Sequence, residues 1–238
     1  MKFEKTYVIG RGKIALHCQE VAKKILKSDA FLVQENNHEK LDIFFLGIKN
    51  SLIISANNSY IFKKRCVENN YIVNFHNSLL PLHKGQNAHI WTIWQNDKKT
   101  GITWHKVDNN IDTGDIIIQK EIKLNSNINS LSLLKKQHEL AMESFSECLN
   151  NLENLQKYGD SKSSFHLKKD LPNNGFLDLS WKIEKIDRFF RSMAALKGII
   201  NPKINLLNSN YEILFYDLDV NIKLYLSNNK ILEIRKEN

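Results

Sequence analysis

Through its first hundred residues the chain alternates short apolar runs with segments of helical period, and few folds accommodate that alternation. "KTYVIG" reads as a strand ended by the turn "GRGK". The next segment, "KIALHCQEVAKKILK", puts Ile14, Cys18, Val21, Ala22, Ile25 and Leu26 on one helical face. "AFLVQ", "DIFFLG" and "SLIISA" have the continuous apolar character of strands buried on both sides. "KKRCVENN" reads as a short helix and "YIVNF" as the next strand. The pattern predicts an α/β fold with a Rossmann-like, doubly wound, mostly parallel sheet.

Further along, "QNAHIWTIWQN" predicts a helix, and "TGITWHKVD" and "GDIIIQKEI" two strands around the loop "NNIDT". A long amphipathic helix is expected from about Leu131 to Leu155, with Ala141, Phe145, Cys148, Leu149, Leu152 and Leu155 in helical spacing. Composition shifts after "KYGDSKSS". "LPNNGFLDLSW" is turn-rich, "KIEKIDRFFRSMAAL" is a candidate helix, and the tail reads as short strands. The expected organisation is a main domain over residues 1–160 and a small C-terminal helix-plus-β extension over 161–238.

With 34 Lys and Arg against 26 Asp and Glu, the net charge is +8, which attracts nucleotide phosphates and folate carboxylates as readily as nucleic acid. No arginine-rich tract or basic stretch with interleaved aromatics is present, so no nucleic-acid partner is expected. No apolar run reaches the roughly 18–20 residues that span a bilayer. "MKFEKTYVIG" carries neither the apolar core nor the cleavage site of a signal peptide. No membrane partner and a cytoplasmic location are expected. Cys18, Cys66 and Cys148 are widely spaced without a CxxC, which fits a reducing compartment and packing roles. His76, His83, His89 and His105 fall at no zinc-ligand spacing, and no metal is expected. "GRGKIA" lacks the third glycine of a dinucleotide fingerprint, which argues against a nicotinamide cofactor.

In open α/β sheets, ligands bind at the carboxyl ends of the strands. Asn74 and His76 sit at that end of "YIVNFH", and their alternate spacing puts them on one side of an extended chain. An amide donor beside an imidazole suits a site that stabilises an oxyanion and moves a proton. Asp112, in "IDTGD", lies on a later turn that the sheet could bring alongside, where a carboxylate would orient His76 and raise its pKa. Pro81 and Gly85 would free the backbone after the strand to wrap a ligand. Spacing alone leaves open that Asn74 and His76 are ordinary turn residues.

The full string "NFHNSLLP", with "GITWHKVDNNIDTGDIIIQ" beginning 20 positions after Pro81, resembles the formyltransferase family that uses 10-formyltetrahydrofolate. The family pattern is N-x-H-x-S-L-L-P, then a G-x-T strand, then a D-x-G turn. Asn74, His76 and Asp112 match its catalytic set, and the 38-residue interval from Asn74 to Asp112 fits. The likeness is clear from about Ser51 to Ile122 and weaker from Lys5 to residue 160. It implies the formyltransferase fold and a reaction in which an amine attacks a formyl carbon. Asn74 and a protonated His76 would stabilise the oxyanion, and Asp112 would keep His76 charged and help remove the amine proton. Asp115, in the same turn, is expected to be structural.

Within the family, "NFHNSLLPLHKGQNAHIW", the Trp in "GITWHKV" and "LPNNGFLDLSW" look most like enzymes that formylate dTDP-linked 4-amino-4,6-dideoxyglucose or its 3-amino relative. Such enzymes serve bacterial surface polysaccharide, including O-antigen. Methionyl-tRNA and glycinamide ribonucleotide formyltransferases are the alternatives, and a catalytically dead folate or nucleotide-sugar sensor is the non-enzyme reading. Under the sugar reading, Asn58, Tyr60, Leu79, Asp108 and Asp112 are candidates for the folate. Arg11, Lys13, Asn77, Lys84 and Trp181 are candidates for the nucleotide sugar, with Asn57 beside the first group and Phe176 beside Trp181. The chain is compact between Gly12 and Ile53, which suggests a trimmed strand–helix unit. Ile213, Phe215, Leu224, Leu226, Ile231 and Ile234 in the tail need cover, and a homodimer is expected to supply it.

Overall fold

The apolar runs and helical stretches form their elements in chain order in the computed structural model, which describes residues 1–157 and 163–235. They begin with β1 (Thr6–Gly10), α1 (Gly12–Leu26), β2 (Ala30–Val33), α2 (His38–Leu46), β3 (Leu52–Ala56), α3 (Lys64–Asn69) and β4 (Tyr71–His76). Next come β5 (Lys84–Gly85), α4 (Ala88–Trp94), β6 (Lys99–Lys106), β7 (Ile116–Lys123), α5 (Ser130–Asn150) and β8 (Phe165–His166). The chain closes with α6 (Ile183–Met193), β9 (Lys203–Leu206), β10 (Ser209–Asp217), β11 (Asn221–Leu226) and β12 (Ile231–Arg235).

Two compact units emerge. The first comprises Met1–Gln86, Lys99–Lys123 and Lys135–Phe165; the second comprises Asn87–Lys98, Leu124–Leu134 and His166–Asn238. The expected boundary near residue 160 lies outside the described residues.

The first unit is built on a six-stranded sheet in the order β2-β1-β3-β4-β6-β7. The first four strands pair in parallel, and β6 and β7 continue the sheet antiparallel. This is the expected doubly wound, mostly parallel arrangement. One core cluster joins Val8, Ile54, Val73 and Trp104 to Ile14 and Cys18 of α1 and Phe145 and Cys148 of α5. A second, with Ile53 and Ile72, packs against Leu41 and Phe45.

Those last two residues mark a correction. "DIFFLG", read as a strand, is the end of helix α2. Leu41 and Phe45, four apart, are buried, whereas Ile43 is 74% exposed. The Asn37 side chain caps the helix by accepting a hydrogen bond from the Lys40 amide. A helix therefore connects β2 to β3. Helix α5 also ends at Asn150, short of Leu155, although Leu152 and Leu155 still join the core.

In the second unit the antiparallel sheet β12-β11-β10-β9 packs on α6. Ile213, Leu224 and Leu226 are covered by Ile186, Phe189, Phe190 and Met193, so these tail residues find their cover within the chain. Phe215 and Ile231 stay exposed.

Candidate active site

Strand β4 ends at the carboxyl edge of the sheet with Asn74 and His76 on one face, as period two requires. The antiparallel neighbour β6 sets His105 opposite Asn74 and Thr103 opposite His76. A register shift between β6 and β7 at Trp104 and His105 interrupts the ladder beside this point, a common device next to functional sites. The turn between those strands carries Asp112, which adopts a positive φ of 53°.

The turn brings the Asp112 carboxylate between the strand-end side chains. Its Oδ2 lies 3.4 Å from His76 Nδ1 and accepts a 2.7 Å hydrogen bond from the Gly85 amide. Its Oδ1 lies 3.4 Å from His105 Nε2 and 3.5 Å from Asn74 Nδ2. Asn74 Nδ2 is in turn 3.1 Å from His105 Nε2. His76 Nε2 donates to the His83 carbonyl at 2.8 Å. His76, His105 and Asp112 are all buried.

The segment after β4, with Pro81 and Gly85, was expected to wrap a ligand. It folds back over the site, with a cis Leu80–Pro81 peptide, and the His83 carbonyl and the Gly85 amide touch His76 and Asp112. Ser164 holds it in place, its Oγ accepting from the His83 amide and its carbonyl from the Lys84 amide. Thr103 Oγ1 donates to the Ser78 carbonyl and accepts from the Leu80 amide, which fixes the start of the segment.

The electrostatics divide the pair. Burial pushes the Asp112 carboxyl up, but the attraction of His76, the neighbouring His105 ring and the Gly85 amide outweigh it and hold the group at about 2. For His76 burial is the largest influence and lowers its pKa; Asp112 pulls the other way without prevailing, and His105 adds to the lowering. Burial therefore works against the charge that Asp112 was expected to hold on His76, because an imidazole this deeply buried loses hydration on charging.

Other residues singled out in the sequence are dispersed. Arg11, Asn58 and Tyr60 line a separate cavity of about 230 Å³ at the ends of β1 and β2, with Glu35 and His38. There Arg11 donates to Asn36, Asn58 Oδ1 accepts from the Tyr60 amide, and the Tyr60 hydroxyl donates to Asp42. Asn57 donates to the Arg11 carbonyl, and Lys13 is exposed on the first turn of α1. The Asp108 carboxylate is engaged by Thr113 and the Asn110 amide. Leu79 packs beside Gly101, and the Asn77 carbonyl accepts from Gln137. Lys84 is half-buried in β5. In the second unit, Trp181 packs against Trp94 and Phe189 with the Lys185 ammonium 4.2 Å over its ring, and Phe176 is half-buried. Asp115 serves through its backbone, accepting from the Lys106 amide.

The sequence raised His105 only as a metal ligand and gave no signal for the backbone groups of His83 and Gly85. His105 shares the odd-numbered face of β6 with Gly101 and Thr103, so alternation along "GITWH" was the available signal. Among the described residues, no group of three or more His, Cys, Asp or Glu is placed to hold a metal ion, and no helix is long and apolar enough to cross a membrane.

Residues 15–149, more than half of the chain, match the family model described as "Formyl transferase". The chain belongs to the formyl transferase family. A GDP-perosamine N-formyltransferase of Brucella melitensis is 33% identical over 122 residues, covering 51% of this chain and 47% of that protein. A methionyl-tRNA formyltransferase of Prochlorococcus marinus is 28% identical over 166 residues, 59% of this chain and 50% of that one. The chain therefore spans about half the length of the curated relatives it matches. An N-formyltransferase of Helicobacter canadensis, solved in complex with folinic acid and dTDP-3-aminofucose, superposes with a TM-score of 0.70 at 18% identity, over 98% of this chain and 99% of that one. A 4-N formyltransferase of Francisella tularensis gives 0.67 at 20% identity over 98% and 97%. At these identities the likeness establishes the shared fold.

Proposed function

We propose that this member of the family transfers the formyl group of 10-formyltetrahydrofolate to the amine of a nucleotide-linked amino-dideoxy sugar. The first candidate is dTDP-4-amino-4,6-dideoxyglucose, made for bacterial surface polysaccharide in the cytoplasm. The observation that carries the reading is the convergence of Asn74, His76 and Asp112 at the carboxyl edge of the sheet. Support for a sugar acceptor comes from the names of the Brucella relative and the Helicobacter neighbour.

The geometry divides the labour among the three residues. Both ring nitrogens of His76 face protein acceptors, so Asn74 Nδ2 is the donor aimed at the developing oxyanion. The neutral His76 ring keeps its proton on Nε2, against the His83 carbonyl, and its basic Nδ1 faces Asp112. A proton released by the attacking amine, directly or through water, passes to this pair, where the Asp112 carboxylate stabilises the imidazolium that forms. The co-substrate supplies the formyl group, and folate contacts are assigned to Asn58, Tyr60, Leu79 and Asp108. Arg11, Lys13, Asn77 and Lys84, all in the first unit, are assigned to the sugar nucleotide.

The test is release of tetrahydrofolate from the formyl donor with dTDP-3-amino and dTDP-4-amino sugars side by side, and with GDP-perosamine and initiator methionyl-tRNA as separate arms. Release that requires an amino sugar supports the reading. Release with the charged tRNA alone overturns it in favour of the tRNA branch, and folate binding without release with any acceptor points to a sensor. We also assign a homodimer to the C-terminal sheet, because Phe215, Val220 and Ile231 remain exposed there. A monomer by light scattering at micromolar concentration removes that assignment.

A further inference from the structure

The proposed reaction uses Asn74, His76 and Asp112, yet the imidazole that approaches both Asn74 and Asp112 is His105. It stands opposite Asn74 in the β4–β6 ladder and is 2% exposed. Residues directly opposite across an antiparallel pair share one face of the sheet, so the contact is built into the register. On one side His105 Nδ1 lies 3.1 Å from the Lys106 carbonyl oxygen. On the other, Nε2 lies 3.1 Å from Asn74 Nδ2 and 3.4 Å from Asp112 Oδ1.

Donor and acceptor inventory fixes the roles. A carbonyl oxygen only accepts, so Nδ1 carries the proton, and in the neutral ring Nε2 is a lone pair that must accept. Its donor is the Asn74 carboxamide. An asparagine side chain can sit in two orientations with oxygen and nitrogen exchanged, and its partners decide between them. Here the reversed orientation would put Asn74 Oδ1 against the Nε2 lone pair and the Asp112 carboxylate, two acceptors at once. With the ring neutral, His105 turns the amide nitrogen inward. One N–H of that NH2 group goes to His105; Asp112 Oδ1, at 3.5 Å, is too distant to hold the other firmly. The second N–H, in only a 3.5 Å contact with Asp112 Oδ1, is the one assigned to the formyl oxygen.

The Lys106 carbonyl is itself held in place. A Cβ on Gly114 would come within 1.8 Å of that oxygen, so the turn that delivers Asp112 also packs its glycine directly on the carbonyl that sets the His105 tautomer. The Lys106 amide donates to the Asp115 carbonyl at 2.8 Å, which closes the same turn. Carboxylate, imidazole tautomer and amide orientation are thus set by one local arrangement.

We propose that His105 is a positioning residue for formyl transfer: bonded through Nδ1 to the Lys106 carbonyl, it holds the Asn74 carboxamide nitrogen-inward and aims its donor at the developing oxyanion. This rests on the formyl-transfer reading above. His105→Phe preserves a ring and removes both nitrogens. It lowers kcat tenfold to a hundredfold with KM for both substrates within threefold of wild type, and His105→Gln, which still presents an acceptor, recovers most of the loss. In an Asn74→Ala background the same His105→Phe change costs less than a further threefold, because its effect runs through Asn74. Additive losses in the double variant, or an unchanged kcat in His105→Phe, overturn the proposal.

A second measurement needs no turnover. Nitrogen-15 NMR of the wild-type chain is expected to find neutral His105 protonated on Nδ1, with Nε2 accepting from the Asn74 amide. The opposite tautomer overturns the proposal even if His105→Phe fails to fold. Should the wild-type chain formylate no acceptor, the reaction reading fails by that result, and the NMR outcome still decides the amide orientation.

Discussion

Asp112→Asn keeps the size of the side chain and one acceptor oxygen but removes the charge from a residue 9% exposed. In the wild-type protein the Asp112 carboxyl is held at about 2 against an ordinary 3.8. That gap corresponds to about 2 kcal/mol of preference for the anion. The catalytic cost is larger, because the proton reaches His76 only during the reaction. At the observed 3.4 Å, attraction between carboxylate and imidazolium is about 5 kcal/mol with an effective dielectric constant of about 20. The amide oxygen of asparagine retains a dipolar fraction of this, and a loss of half is enough to slow turnover roughly a hundredfold. The assay is initial-rate release of tetrahydrofolate at saturating formyl donor and amino sugar, with circular dichroism melting on the same samples. A carboxyl whose pKa is depressed on folding contributes stability that is present above 3.8 and lost as the pH falls through about 2. The wild-type chain should therefore lose about 2 kcal/mol across that window from this group, a loss that the variant lacks. Asp112→Asn turning over within tenfold of wild type, with normal melting, would refute the assignment of Asp112 as the counter-ion of His76.

Asn74→Ala is expected to lower turnover at least roughly a hundredfold with the fold intact, the usual loss on removing one oxyanion donor; initial rates check it. His76, its pKa lowered by burial, should destabilise the fold as pH drops below the ordinary 6.5, because the unfolded chain binds that proton first. Denaturant titrations of wild type and His76→Asn at pH 7 and 5 should differ in this sense, after allowance for the titration of other groups. Phe45→Ala should cost about 3–5 kcal/mol as a core truncation, whereas Ile43→Ser should stay within about 0.5 kcal/mol, as surface changes do; similar costs at the two positions would contradict helix α2. Gly114→Ala would place its Cβ 1.8 Å from the Lys106 carbonyl oxygen, so a drop in melting temperature together with reduced turnover is expected.

The Asn74 and His76 part of the candidate set was legible because its geometry is local. Asn74 and His76 share a face by period two, and the apolar runs around them are long enough to be strands. "DIFFLG" was not legible as a helix, since a short apolar run satisfies either period; the Asn37 cap and the burial of Leu41 and Phe45 decide it. The tail was legible as strands, but whether a partner chain or α6 covers Ile213, Leu224 and Leu226 depends on which surfaces meet.

The sequence by itself determined the alternating α/β plan, the aligned Asn74 and His76, and the candidacy of Asp112, because periodicity and motif spacing are properties of neighbouring residues. Only the tertiary structure decided that the pKa of His76 is lowered, since the cost of charging it depends on burial from all sides. Only it placed the His83 carbonyl and the Gly85 amide on His76 and Asp112, through a segment held by Ser164, some eighty positions away. It alone set His105 against Asn74, because strand register is chosen by the packing of the whole sheet and not by either strand.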